Sequence, residues 1–176
     1  MTIRKQYPKL AAKTTFFYVG YYATNIAFFP SNKLFANAAT FGTHIWLIPT
    51  SCKTVLPSSG DVRVNVGITA KAVLEQPEKT LGRYTSAVAD FPTHEEVVQY
   101  WSEVTGKPAA FMHVSGDDYV KAFGPPAEEI YANLQAFEEN PKWSFDNNPL
   151  TAKDLGIEKL LVGTKATMES LKDQLL

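Results

Sequence analysis

The sequence predicts an α/β protein whose strands run parallel, and three observations carry that prediction. Thr14-Thr15-Phe16-Phe17-Tyr18-Val19 is an unbroken run of β-branched or aromatic residues closed by Gly20. Such a run, without polar alternation, marks a strand covered on both faces of a parallel sheet. It requires parallel neighbours reached through crossover helices, and the chain offers few other candidates. Second, later strand-like runs alternate with segments of helical period that begin on capping residues. Third, the 176 residues are 45% hydrophobic and 12% aromatic. That is too apolar for a disordered chain and long enough for one domain that buries about 70% of its unfolded surface.

Thr2 to Tyr7 reads as the last turns of a helix halted by Pro8. After the first strand, Tyr21 to Phe29 is either a short helix or an aromatic loop, ended by Pro30. Thr43 to Ile48 is a strand stopped by Pro49, and Pro57-Ser58-Ser59-Gly60-Asp61 is a turn cluster. Alternating Val62, Val64 and Val66 predict a short strand, and Gly67 to Gln76 a helix with Ala70, Val73 and Leu74 on its apolar side. Arg83 to Ala89 is a strand. Thr93 and Glu96 form a capping box, followed by Val97, Trp101 and Val104 on one stripe, with Gly106 and Pro108 ending the helix. Ala109 to Val114 is a strand, and Ser115 caps the next helix. Ile130, Leu134 and Phe137 define a helix over 127–139. Leu150 to Gly156 reads as a one-turn capped helix, and Met168, Leu171 and Leu175 share a face of the last helix.

Composition removes several function classes. One cysteine, Cys52, excludes an internal disulfide framework and a thiolate cluster within one chain. A formal net charge of −1 gives no reason to expect direct nucleic-acid binding. The total hides an asymmetry: six basic and no acidic residues precede Asp61, whereas eleven basic and eighteen acidic residues follow from there on. Two surface regions of opposite sign are the simplest account, an anion-binding half the other. The uncharged stretch from Thr14 to Asn32 is interrupted by Gly20, Asn25 and Pro30, so no membrane span and no secretory signal is expected. The cytoplasm, or the nucleus, is the expected compartment.

Catalytic motifs are few. The ten glycines are scattered singly, with no G-x-G-x-x-G or Walker loop to cradle phosphate, and there is no G-x-S-x-G elbow and no Tyr-x-x-x-Lys pair. His94-Glu95-Glu96 lacks the second histidine of a zinc helix and reads as a solvated first turn favoured by the helix dipole. His44 and His113 read as structural histidines in apolar strands, Cys52 as inert, and Asp117-Asp118 as helix-capping carboxylates. No metal site is expected.

Four phrases in order, KTTFFYVGYYATN, PEKTLGRY, THEEVVQYWSEVTGK and LTAKDLGI, resemble the fungal NmrA-like family. These are atypical short-chain dehydrogenase/reductase relatives with an NAD(P)-binding Rossmann fold. The resemblance runs from about Ile3 to the C-terminus. It implies that this chain is the C-terminal part of a Rossmann-type, doubly wound parallel sheet with an appended small α/β substrate region. Residues 1–30 would hold the last helix end and a late strand, residues 31–176 the substrate region, in a single NmrA-like domain fragment. The family's glycine-rich half would precede Met1, which explains a doubly covered strand without neighbours.

The resemblance also implies a cofactor, NAD(P), near the segment leaving that strand, with Gly20, Tyr21, Tyr22 and Asn25 as the contact residues. Gly20 would permit close backbone approach, the tyrosines would flank a flat ring, and Asn25 would pair with an amide or hydroxyl. Asn65 stands where the family often has an acidic residue. The function implied is a non-catalytic, dinucleotide-sensing or partner-binding regulator. The alternative is a truncated NAD(P)H-dependent reductase of the isoflavone reductase type. Uncovered sheet surface would serve a protein partner or self-association.

Overall fold

The computed structural model describes residues 2–141 and 148–176. Parallel pairing is present in both of its sheets. In the first, β1 (Phe16–Tyr18) pairs with β3 (Tyr84–Ser86), Phe17 opposite Thr85. In the second, β2 (His44–Ile48) pairs with β4 (Ala109–His113), Trp46 opposite Phe111. Helices supply the crossovers, as parallel pairing demands. They are α1 (Thr2–Gln6), α2 (Pro8–Ala11), α3 (Asn25–Phe28), α4 (Val62–Glu75), α5 (Pro77–Thr80), α6 (His94–Thr105), α7 (Gly116–Phe123), α8 (Pro126–Glu139) and α9 (Thr164–Ser170). Among the described residues no helix is long and apolar enough to cross a membrane.

The β2–β4 sheet sits on α6. Thr93 Oγ1 accepts the Glu96 N–H at 3.2 Å, Glu96 Oε2 accepts the Thr93 N–H at 2.7 Å, and Gly106 at φ 70° ends the helix. Both caps are those expected from the sequence. The stripe Val97, Trp101 and Val104 is buried and meets Trp46, Ile48, Leu134, Phe137, Met168, Leu171 and Leu175 in the main core. The last-helix face is therefore inward as expected, although α9 ends at Ser170 and a 3-10 turn follows over Lys172–Gln174.

Several expectations are corrected. Val62 to Val66 is not a strand but the first turns of α4: Asp61 accepts the Arg63 N–H at 3.0 Å as its cap. A capped helix takes Val at a small propensity cost. Its buried face is Asn65, Thr69 and Ala72, while Leu74 is 79% exposed. Of the expected stripe Ala70, Val73 and Leu74, Val73 packs on the Ala72 cluster and Ala70 is half-buried, while Leu74 faces solvent. Pro8 ends α1 but occupies the first turn of α2, where its missing N–H costs nothing. Of the two strand runs expected over 14–19 and 83–89, three residues each enter the ladder. Leu150 bridges to Thr85, and residues 152–156 form turns rather than a helix, tied by Thr151 and Asp154. Residues 142–147, which follow the helix read over 127–139, lie outside the described residues.

Candidate functional site

Beyond the carboxyl end of β1 the chain leaves the sheet through Val19 and Gly20 and turns into α3. Against this segment lies α8, whose residues 126, 130, 133/134 and 137 recur at helical spacing. Between them is a cavity of about 420 Å³ lined by Val19, Gly20, Tyr21, Tyr22, Asn25 and Phe29 on one wall. Pro126, Glu129, Ile130, Asn133, Leu134 and Phe137 form the other. That volume is toward the lower end of the roughly 300–1,000 Å³ of ligand pockets.

The four residues singled out in the sequence all border this cavity, with different duties. A Cβ on Gly20 would lie 1.9 Å from the Pro57 carbonyl oxygen, so the missing side chain is used by the chain itself. The close approach is that of the Pro57 loop. The Gly20 N–H donates to Ser59 Oγ at 2.8 Å. Tyr21 is pinned by its backbone, donating to Pro57 O and accepting from the Ser59 N–H, both at 2.8 Å. Its ring belongs to the main core and its hydroxyl donates to Asn32 Oδ1 at 2.8 Å. Burial, with Tyr119 adding to it, pushes the Tyr21 phenol far above its ordinary pKa. Tyr22, in contrast, is 41% exposed. Asn25 is half-buried, its main-chain carbonyl accepts the Phe29 N–H, and its carboxamide has no hydrogen-bond partner among the described residues. Tyr22 and Asn25 are the two with side chains available to a ligand.

A buried polar network holds this wall in place. Ser58 and Ser59 are fully buried, and Thr164 Oγ1 lies 2.7 Å from both Ser58 Oγ and Asp90 Oδ1. The Thr164 N–H donates to Asp90 Oδ2 at 2.7 Å. Asn65 Nδ2 donates to Ser59 O and Val162 O at 2.8 Å, and its Oδ1 accepts the Val162 N–H at 2.9 Å. Gly60 (φ 58°) packs its α-carbon against the Val162 carbonyl, a conformation and a contact that exclude any larger residue. From the sequence, 57–61 reads as a turn and Asn65 as a departure from an acidic position. The clustered Ser, Gly and Asn were the available signal, but which distant chain they would bind is not a local property.

The remaining candidates lie elsewhere. His94 is not solvated: it is buried, edge-on to Trp46, and its Nδ1 donates to Ser51 O at 2.9 Å. Burial lowers its pKa, outweighing the Ser51 bond and the charge of Glu138. His44 packs on Trp101 and His113 is exposed. Asp118 caps α7 with Ser115, whose hydroxyl, ahead of Lys121, holds the carboxyl below its usual range. Among the described residues no group of three His, Cys, Asp or Glu could hold a metal ion.

Parallel strands, helical crossovers and a cavity at the carboxyl end of a strand define a Rossmann-type α/β protein. The chain belongs to the NmrA-like family, whose model matches residues 1–161. Among solved structures it is similar to NmrA, a negative transcriptional regulator, in its monoclinic form: TM-score 0.73 and 17% identity over 98% of this chain and 56% of that one. NmrA in complex with NAD gives TM-score 0.68 and 18% identity, and NmrA in complex with NADP gives 0.69 and 18%. Each of these covers 90% of this chain and 52% of NmrA. The chain thus spans about half the length of the NmrA structures it matches. A search of curated proteins found no match.

Proposed function

We propose that this chain is a dinucleotide-recognising, partner-binding regulator acting in the cytoplasm or the nucleus, with the nicotinamide end of NAD(P) as the cavity's ligand. The carrying observation is the pairing of the free Asn25 carboxamide with the exposed Tyr22 ring at the mouth of the cavity. A carboxamide donates and accepts at once, which matches the amide of nicotinamide, and a tyrosine face stacks on a flat ring. Gly20 and Tyr21 act by positioning that wall. This chain has no G-x-G-x-x-G turn to cradle the phosphates, so the affinity expected of it is modest. A binding role is favoured over a reductase because the buried Tyr21 phenol is committed to Asn32 and holds its proton firmly. The outer edge of β1, which pairs only with β3 among the described residues, would serve a protein partner.

Thermal melting with added NAD, NADH, NADP and NADPH tests this, since a ligand that binds only the folded chain raises the midpoint. The expected result is a saturable rise that is lost in Tyr22→Ala and Asn25→Ala while their unliganded midpoints stay near that of the wild type. No rise at millimolar cofactor would remove the dinucleotide from this chain.

A further inference from the structure

β4 pairs with β2 on one side, and among the described residues nothing pairs with its other side. The ladder fixes which peptide groups remain. The His44 N–H donates to Pro108 O at 2.9 Å and the Val114 N–H to Ile48 O at 3.1 Å. In a parallel ladder the partner-facing residues alternate, so Ala110 and Met112 face β2 and the N–H and C=O of Ala109, Phe111 and His113 face outward. Edge strands are ordinarily protected by charge, proline or a bulge. β4 has no Lys, Arg, Asp or Glu, no proline, and an unbroken register; Lys107 and Pro108 stop just short of it. Phe111 is 37% and Met112 52% exposed.

We propose that β4 is a homodimerisation edge to which a second copy of this chain adds antiparallel, across a two-fold axis at Phe111. The outward peptide groups are symmetric about that residue, so each Phe111 exchanges both backbone hydrogen bonds with its counterpart and Ala109 lies opposite the other copy's His113. Between these rows Ala110 lies opposite the other copy's Met112. Each large side chain except the central pair thus meets a small one, and the central pair is aromatic on aromatic. At a two-fold axis a charged residue would meet its own charge; this strand has none to meet. That self-complementarity selects a second copy over an unrelated strand. One added strand buries less than the roughly 800 Å² per partner of a standard interface, so association is weak.

Sedimentation velocity over a series of micromolar concentrations is the test, with amide hydrogen exchange at Phe111 read on the same samples. The expected result is a concentration-dependent dimer and rising protection of the Phe111 amide, which otherwise faces solvent. Phe111→Lys and Phe111→Glu each give monomers, and an equal mixture of the two restores association, which a merely unfolded variant would not do. Phe111→Pro removes only an outward N–H, leaves the β2 ladder intact and also gives a monomer. A wild-type chain that stays monomeric with an unprotected Phe111 amide throughout would overturn the proposal. So would a dimer that survives these variants but is lost in Phe17→Lys, which would put the contact at β1.

Discussion

The two sheets of this molecule are both parallel pairs, yet they are held by different physics. β2–β4 runs in register over five residues on a helix whose buried stripe of Val97, Trp101 and Val104 continues into the main core. β1–β3 is three residues long and has a small cluster of Ala11, Phe16 and Tyr84. Tyr84 stacks on Phe16 at 4.9 Å and on Tyr18 at 5.0 Å, with the Arg4 guanidinium 4.5 Å from its ring centre. A second apolar cluster, Ala72, Leu150, Ala152, Leu155 and Ile157, packs beside β3, and the loops at the exit of β1 are fixed by the polar side chains of Ser58, Ser59, Asn65, Asp90 and Thr164. Apolar packing has no direction, so it stabilises without fixing a loop to within a fraction of an ångström. Hydrogen bonds have direction and fix it. The candidate site lies on the sheet that uses the second means.

That contrast can be broken by experiment. Trp101→Ala removes the largest side chain of the α6 stripe and is expected to cost about 3–5 kcal/mol in denaturant unfolding. Once folded, at low denaturant, it leaves the dinucleotide-induced melting shift unchanged. Asn65→Ala removes three hydrogen bonds at once from a fully buried site, for an expected loss of about 2–4 kcal/mol. Unlike Trp101→Ala, it also weakens the melting shift, because Ser59 no longer holds Gly20 in place. If both variants changed ligand response equally, the division between a packed half and a positioned half would be wrong.

The packed half was legible in the sequence, and of the positioned half the strands were legible but not the contacts that fix its loops. The capping box at Thr93 and Glu96 and the stripe of Val97, Trp101 and Val104 are local signals, and the observed α6 follows them. The run at Thr14–Val19 marked a parallel strand for the same reason. Val62 to Val66 misled because alternation of valine with polar residues is a strand pattern, while the cap at Asp61 that makes it a helix weighs more. Asn65 faces inward on that helix, to a carbonyl and an amide of Val162, 97 residues away. No window of sequence contains that pair. Gly20 was legible as a site of close approach, but the approaching group, Pro57, is a matter of tertiary structure.

His94 gives the smallest and most selective test, because it joins the packed half by a polar contact. Its ring is buried against Trp46, and Nδ1 donates to the Ser51 carbonyl, so the neutral form with its proton on Nδ1 is the one that fits. Burial is the largest influence and lowers the pKa; the Ser51 bond and Glu138 oppose it without reversing it. The sign follows from linkage. Below about 6.5 the unfolded chain takes up a proton that the folded chain refuses, so stability falls as pH drops from there toward the folded value. His94→Asn keeps a donor toward Ser51 but has nothing to titrate and leaves a gap beside Trp46. It is therefore less stable at neutral pH, and its stability changes less with pH across this range than that of the wild type. Urea unfolding at a series of pH values reads both effects, and because His44 and His113 are common to both proteins, the difference in slope belongs to His94. A slope unchanged by the substitution would mean that the ring reaches solvent, and that this end of the packed half is as open as the cavity wall it was contrasted with.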